Sequence, residues 1–344
     1  MADTYSPRIL IPILRDDPDF SALRVADRWE ELKKVAVERR IAAVVAHAVR
    51  DQASPEQRLW CDQVLADSWR RHDECIRQLD YVLTLLSHGG IEVLSLKGPI
   101  LGRRHFKLPF LRRPSADIDL AVRDSDLERA AALLGTHGYR LETTLHEART
   151  TSHHLVMSTA NRPRVELHTR LSHATRGIPV DELFEVACEH LLPTGRPARI
   201  PAPADELLGL MLHFANDRFS SFFHLYELRR VWQNADPALR MEVIRRAVQH
   251  RFSAVLWLTD LAMQTTWGEK FLPPEAAIPT TWLQNRLNIQ LLEELSSTVV
   301  NRNKRTLAGR LKGRWLDLQT TDTAGDALTM VGLVLRVAQR QLRH

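Results

Sequence analysis

The sequence contains little cysteine and no long run of apolar residues. Its three cysteines, Cys61, Cys75 and Cys188, have a spacing that fits neither a paired-disulfide framework nor a CxxC zinc site. No uninterrupted apolar run approaches the ~20 residues that a membrane-spanning helix needs. The first residues also lack the basic and apolar segments of a secretory signal peptide. We therefore predict a cytoplasmic protein with reduced thiols and no membrane partner.

Three common catalytic signatures are missing as well. The sequence has no Ser-His-Asp order, no Walker phosphate loop and no GxGxxG fingerprint, which leaves hydrolase, P-loop kinase and Rossmann functions without support. Lysine is scarce, since only seven of the 47 basic side chains are lysine. The net charge of +5 and the pI of about 9.3 favour an anionic partner. A genome whose codon usage favours arginine would give the same excess of basic side chains, so the charge alone does not identify that partner.

The apolar residues that are present recur with helical spacing towards both ends of the chain. They make up 44% of the 344 residues, enough for a buried core in more than one packed unit. From Phe20 to about Leu86, and again from Asp205 onwards, they lie three and four positions apart. We expect the Gly89-Gly90 pair to end the first helical region.

Strand patterns lie between the two helical regions. Residues 91–96 are rich in aliphatic side chains, and residues 117–122 and 165–168 alternate between apolar and other residues. Proline and glycine in residues 193–203 predict a linker. The predicted fold class is α+β: a small mixed-sheet core at residues 89–195, between an N-terminal helical region at 1–88 and a C-terminal helical domain at 200–344.

Asp117 and Asp119 occupy one face of the second predicted strand. Residues i and i+2 of a strand lie about 7 Å apart on the same side, so their carboxylates can converge on one site. Nucleotidyl transfer requires the charge of a triphosphate to be neutralised, and paired Mg²⁺ ions held by carboxylates meet that need. The pair therefore suggests a two-metal site. By spacing alone, it fits the exposed face of an edge strand equally well.

Neighbouring residues favour the metal-site interpretation. Lys97 and Gly98 follow the first predicted strand, where a turn can present an ammonium and backbone N–H groups to phosphates. Glu166 lies between apolar residues on a later strand. Between Gly98 and Asp117 there are five basic side chains and no acid, and we expect them to attract a polyanion. They are Arg103, Arg104, Lys107, Arg112 and Arg113.

The order of these motifs resembles the polymerase-β-like nucleotidyltransferase superfamily. The matching segments are Leu96-Lys97-Gly98-Pro99, Arg113-Pro114-Ser115-Ala116-Asp117-Ile118-Asp119-Leu120 and Val165-Glu166-Leu167-His168. More narrowly, the chain is similar to a bacterial branch described as uncharacterised nucleotidyltransferases. The motif resemblance covers residues 91–170, and the helical flanks are similar only in character.

The resemblance implies transfer of a nucleoside monophosphate from an NTP, with ATP as the expected donor. It implies that Asp117 and Asp119 hold two Mg²⁺ ions, with Mn²⁺ as an alternative, and that Glu166 completes the catalytic metal site. Lys97 and Gly98 would hold the triphosphate. The acceptor stays open among small molecules, peptides, proteins and RNA.

Two residues near the turn qualify this picture. Pro99 follows the turn glycine where many members of the superfamily carry glycine or serine, and it has no N–H to offer a phosphate. More of the phosphate contact is therefore expected from Lys97. Arg113 fits three roles: a phosphate contact, a brace for Asp117, or a surface ion pair.

The histidines admit less specific interpretations. His168 shares the face of Glu166, where it fits a structural role better than substrate orientation. The His153-His154 pair has no cysteine or carboxylate at metal-ligand spacing, so no zinc site is expected there. His213 and Asp217 lie four residues apart on one helix face, which favours a local salt link over contact with the base or acceptor.

Two alternatives stay open, one for a basic segment near the C-terminus and one for the function of the whole protein. Residues 301–314 contain six basic side chains and no acid, which suits either nucleic-acid binding or a solvated helix face. The alternative to an enzyme is a non-catalytic nucleotide- or RNA-binding regulatory module of the same fold, with a toxin–antitoxin role. The presence of all three carboxylates favours catalysis.

Overall fold

A computed structural model describes the chain with short gaps up to residue 276 and a few residues beyond residue 320. The described residues are 7–21, 26–150, 152, 154–160, 162–173, 176–217, 219, 221–274, 276, 321–323, 325, 326, 328 and 331. The basic segment at residues 301–314 lies outside them. Within the described part of the chain, no helix combines the length and hydrophobicity that crossing a membrane requires.

The N-terminal region is helical, as its apolar spacing predicts. Its helices are α1 (Leu10–Ile13), α2 (Ala26–Glu38), α3 (Ala42–Val49) and the 34-residue α4 (Pro55–His88). A capping box begins α4, because the Ser54 hydroxyl accepts from the Gln57 N–H and the Gln57 side chain accepts from the Ser54 N–H. Gly89 and Gly90 end the helix, which confirms the predicted stop.

A five-stranded mixed sheet follows α4. Its strands are β1 (Val93–Ser95), β2 (Asp117–Val122), β3 (Arg140–Leu141), β4 (His154–Ser158) and β5 (Arg164–His168). They lie in the order β1-β2-β5-β4-β3. The central pair β2 and β5 is parallel, and the other neighbours are antiparallel. The strands predicted from alternation are therefore confirmed.

Three helices connect the strands: α5 (Pro99–His105), α6 (Leu127–Thr136) and α7 (Leu145–Thr150). The pattern Ser125-x-x-Glu128 suggests a capping box at the start of α6. The structure instead has a 3₁₀ turn over residues 124–126, and Asp126 precedes the helix without a side-chain cap bond. Sequence spacing alone did not reveal this turn.

The chain then forms two β-hairpins. The first pairs β6 (Arg170–His173) with β7 (Arg176–Pro179), and α8 (Val180–Glu185) leads to the second, β8 (Cys188–Leu191) with β9 (Pro197–Ile200). The predicted linker at 193–203 is therefore wrong over residues 193–200, which form the turn of this hairpin and β9. Gly195 adopts a φ of 82°, which glycine tolerates at little cost, and the chain reverses there into β9.

Four further helices complete the described fold: α9 (Pro203–Asn216), α10 (Phe222–Gln233), α11 (Pro237–Gln249) and α12 (Ser253–Trp267). They share one apolar core with α1, α2 and α3. A second core forms between one face of the sheet, α4 and α6. The fold is thus an α+β core of the predicted kind, flanked by N-terminal and C-terminal helices.

Candidate active site

The three predicted carboxylates lie on one face of the sheet. Alternation on β2 places Ile118 and Leu120 in the core with α4 and α6, so Asp117 and Asp119 point to the opposite face. In the parallel pairing of β2 with β5, Asp119 is directly opposite Glu166. The Asp119 side chain is 8% exposed and that of Glu166 18%. The sheet thus brings these acids together in a poorly hydrated environment.

His168 bridges two of the carboxylates. Its Nε2 lies 3.0 Å from Asp119 Oδ1 and 3.5 Å from Glu166 Oε2. Burial disfavours the imidazolium, but the hydrogen bonds to both acids outweigh that effect and raise the pKa of His168. The fully buried ring therefore fixes the orientation of the carboxylates. The sequence favours a structural role for this histidine, and its contacts are with the candidate site itself.

Lys97 enters the site from the turn after β1. Its Nζ lies 3.5 Å from Asp119 Oδ1 and 3.3 Å from His213 Nδ1 on α9. Burial of Asp119 opposes ionisation, but Lys97 and the hydrogen bond from His168 hold its pKa well below the usual range. Gly98 follows with a φ of 71° and precedes α5, a left-handed conformation that explains glycine at this position.

Asp117 is the acid of the three whose pKa is raised. Burial, followed by repulsion from Asp119 and Glu166, raises the pKa of Asp117 to about 6, although Lys97 and Arg113 partly offset these effects. The nearby cations therefore do not neutralise all three acids. A divalent cation would supply the missing charge, and clustered carboxylate oxygens are suitable ligands for Mg²⁺ or Mn²⁺. The residues present thus fit a metal site.

His154 is a member of the cluster that sequence analysis missed. Antiparallel pairing of β4 with β5 sets His154 opposite His168, and His154 Nε2 lies 3.8 Å from Glu166 Oε2. One ligand atom each of His154, Glu166 and His168 lies within 4.8 Å of the other two. Burial, and next the neighbouring His168, lower the pKa of His154 to about 4. Its carboxylate neighbour comes from another strand, which local spacing cannot reveal.

Arg113 and Arg112 have different contacts in the structure. The Arg113 guanidinium carbon lies 5.8 Å from the centre of the Phe223 ring, and its charge acts on Asp117. Arg112 is buried, pairs with Glu227 of α10, and donates to Ser115 Oγ at 3.1 Å. Arg112 therefore braces the loop that leads into the carboxylate strand.

Two of the five basic side chains between Gly98 and Asp117 form ion pairs within the protein. Arg104 pairs with Glu206 on α9, and His105 Nε2 lies 3.3 Å from the same carboxylate. Together with the buried pair of Arg112 and Glu227, these contacts tie the segment to α9 and α10. Of the five basic side chains that we expect to attract a polyanion, Arg104 and Arg112 thus have acidic partners inside the protein. Both acidic partners lie more than a hundred residues away in sequence.

A second group of polar side chains lies where α9 meets α10. Asp217 Oδ2 is 3.0 Å from His224 Nδ1, and the rings of His213 and His224 have their centres 4.4 Å apart. Burial, followed by Lys97 and His224, holds the pKa of His213 well below its usual range, so this imidazole is neutral. Instead of a salt link between His213 and Asp217 alone, the structure has a cluster of His213, Asp217 and His224 that lies next to Lys97.

Comparison with known proteins identifies the family. The solution structure of the antibiotic-resistance factor ANT(2'')-Ia matches 52% of this chain and 94% of its own, with 13% sequence identity and a TM-score of 0.39. A comparison with curated proteins finds no match. The family model described as "Uncharacterised nucleotidyltransferase" matches residues 26–268, a span that covers well over half of the chain and contains every residue of the carboxylate site. The chain belongs to this family of uncharacterised nucleotidyltransferases.

Proposed function

We propose that the protein transfers a nucleoside monophosphate from an NTP to a nucleophile on an acceptor, with ATP as the donor and Mg²⁺ as the required metal. One observation carries the proposal. Asp117, Asp119 and Glu166 converge on one sheet face, and burial with mutual repulsion raises the pKa of Asp117 to about 6. Such a cluster is suited to hold cations opposite a triphosphate.

The three carboxylates would hold the metal, with Asp117 and Asp119 from one strand and Glu166 from its neighbour. When bound, divalent ions would offset the charge of the triphosphate and of the departing pyrophosphate. His168 keeps Asp119 and Glu166 in place through its short contacts to both. The site would therefore be largely preorganised before a nucleotide arrives.

Lys97 and Gly98 would meet the triphosphate at the edge of the site. The Lys97 side chain is 15% exposed and already faces Asp119, so a small rotation would carry its ammonium from the carboxylate to a phosphate oxygen. Pro99 has no N–H, so Lys97 must supply most of the contact from this turn. Arg113, next to Asp117, would add a second positive charge for the phosphates.

Glu166 is suited to hold a cation and to orient the acceptor hydroxyl. Burial opposes its ionisation, but the hydrogen bond from His168 lowers the pKa of Glu166 below its usual value. It would therefore be ionised at neutral pH and able to accept a hydrogen bond from the acceptor. The acceptor would enter from the side of the sheet that faces α9 and α10.

Labelled NTPs test the proposal directly. Purified protein would be incubated with each NTP, Mg²⁺ and panels of small molecules, peptides and RNA, while pyrophosphate release and label transfer are measured. We expect transfer with ATP and its loss in Glu166→Gln, while Glu92→Gln, an exposed control (60% exposed), retains it. Tight nucleotide binding without pyrophosphate release from any acceptor would support the non-catalytic module instead.

A further inference from the structure

The cluster formed by His213, Asp217 and His224 has the donor set of a transition-metal site. One ligand atom from each residue lies within 4.8 Å of the other two. Two imidazoles and one carboxylate are typical ligands of Zn²⁺ and its neighbours in the first transition series, whereas Mg²⁺ prefers oxygen donors alone. The chemistry of this cluster therefore differs from that of the carboxylate site on the sheet.

The positions of the three side chains fit a small tetrahedral ion. Bonds of 2.0–2.1 Å at tetrahedral angles place two ligand atoms about 3.3 Å apart. Asp217 Oδ2 and His224 Nδ1 are already 3.0 Å apart, and a ligand atom of His213 lies within 4.8 Å of both residues' ligand atoms. His224 is 11% exposed and Asp217 47%, which gives the cluster a buried side and an open side. An ion there would keep a position for water.

The backbone supports the cluster from two helices. His213 lies in the last turn of α9, Asp217 is the residue that ends this helix, and His224 lies in the first turn of α10. The Ser221 hydroxyl accepts from the His224 N–H and caps α10. An ion at this corner would link the two helices.

Lys97 connects this corner to the carboxylate site. Its Nζ lies 3.3 Å from His213 Nδ1, which must be unprotonated to accept from the ammonium. An ion bound to Nδ1 would displace Lys97. An ion bound to Nε2 would instead require the proton on Nδ1, which then could not accept from Lys97. Either geometry breaks the contact of Lys97 with His213 and leaves Asp119 as its neighbour.

We propose that His213, Asp217 and His224 bind a transition-metal ion of the Zn²⁺ type, and that this ion competes with the contact between Lys97 and His213. The proposal goes beyond nucleotidyl transfer and does not depend on it. A failed transfer assay would leave the metal measurements below unaffected, because they require neither NTP nor acceptor.

Cobalt titration tests the site. Tag-free protein would be titrated with Co²⁺ in excess Mg²⁺, which occupies oxygen-rich sites, while visible absorption and bound metal are measured. We expect one equivalent with the intense bands of nitrogen-ligated, low-coordinate Co²⁺, displaced by Zn²⁺. Asp217→Asn, at a half-exposed position, and His224→Ala should each weaken binding at least 10-fold, or about 1.4 kcal/mol. His146→Ala, at an exposed histidine elsewhere, should not.

Two further variants separate this site from the sheet and test the link to Lys97. His154→Ala should leave the Co²⁺ bands intact, because His154 belongs to the other cluster. Lys97→Ala should tighten Co²⁺ binding several-fold, because it removes a competing ammonium. The proposed site would be wrong if the Co²⁺ bands are lost in His154→Ala but kept in both Asp217→Asn and His224→Ala. Equal affinity of wild type and Lys97→Ala would overturn the competition.

Discussion

The two faces of the central sheet are built from alternate residues of the same strands, yet one carries apolar side chains and the other carries charged ones. On one face, Leu120 and Leu167 are fully buried in the core with α4 and α6. On the other, Asp119 is buried and Glu166 is half-buried, yet both are ionised. Burial favours the first face and penalises the second. The polar face therefore needs compensating contacts that the apolar face does not need.

The charged face is stable only because each acid has a different compensation. Asp119 has Lys97 and His168, while Glu166 has His168. Asp117 has only the more distant influence of Lys97 and Arg113, and its pKa is raised. Stability and the proposed chemistry can therefore be altered separately, and the following four predictions test that separation.

The largest expected effect is the loss of transfer in Asp119→Asn. Removing the central carboxylate abolishes charge that would face the metal and the triphosphate, so we expect turnover to fall by ~10²–10³-fold or more. The change also weakens the contacts with Lys97 and His168, so the unfolding temperature should fall as well. Turnover is measured at a temperature where circular dichroism shows folded protein. Asp181→Asn, an exposed carboxylate (62% exposed) paired with Arg123, is the control and should keep wild-type turnover.

A substitution on the apolar face should lower the free energy of unfolding. Leu120→Ala leaves a cavity between the sheet and its helices, and we expect a loss of about 2–5 kcal/mol in the free energy of unfolding. Denaturant titration measures it. Leu141→Ala, the same change at a 52%-exposed leucine of β3, should cost far less. Equal losses in the two variants would contradict the assigned core.

Lys97→Ala should weaken nucleotide binding and, because it removes the ammonium beside the buried Asp119, should also lower the stability of the fold. Loss of a charge-assisted phosphate contact should weaken binding of a non-hydrolysable ATP analogue with Mg²⁺ by ~10-fold, or about 1.4 kcal/mol. Lys97→Arg should restore it only in part, because a planar guanidinium replaces a compact ammonium. Calorimetric titration provides the affinities. Lys107→Ala, at an exposed lysine of the same segment, should bind like wild type.

The last prediction is a pH-dependent difference in stability at Asp117. Its pKa rises from 3.8 in the unfolded chain to about 6 in the fold, so the folded protein binds more protons between these values. Wild-type stability relative to Asp117→Asn should therefore fall as the pH rises from about 4 to about 6, then level off. Thermal unfolding in metal-free buffer across pH 4–8 measures the difference. A difference that is independent of pH would argue against the raised pKa.

Much of the fold and of the carboxylate site could be predicted from local sequence. Alternation on β2 and β5 predicted the two strands and the shared face of Asp117 and Asp119, because strand geometry alone sets that relation. The Gly89-Gly90 stop followed from glycine chemistry in the same way. The hairpin at 188–200 was missed because proline and glycine mark a turn within a sheet and a linker alike.

Contacts between distant segments could not be predicted in this way. The sequence predicts no metal site at His154, because no carboxylate lies at metal-ligand spacing from it. Antiparallel pairing with β5 brings Glu166 next to it. The pair of Arg112 with Glu227 spans 115 positions, and the contact of Lys97 with His213 spans 116. No local period encodes such separations.

The sequence by itself determined the class of fold, the family motifs and the three acids on alternate strand positions, because each depends on the conformation of a few consecutive residues. The tertiary structure alone decided which histidines join those acids, which arginines are consumed by internal ion pairs, and where α9 meets Lys97. These choices depend on strand register and on helix packing. Both are fixed by the combined burial of many apolar side chains across the whole chain, so no short segment contains the information.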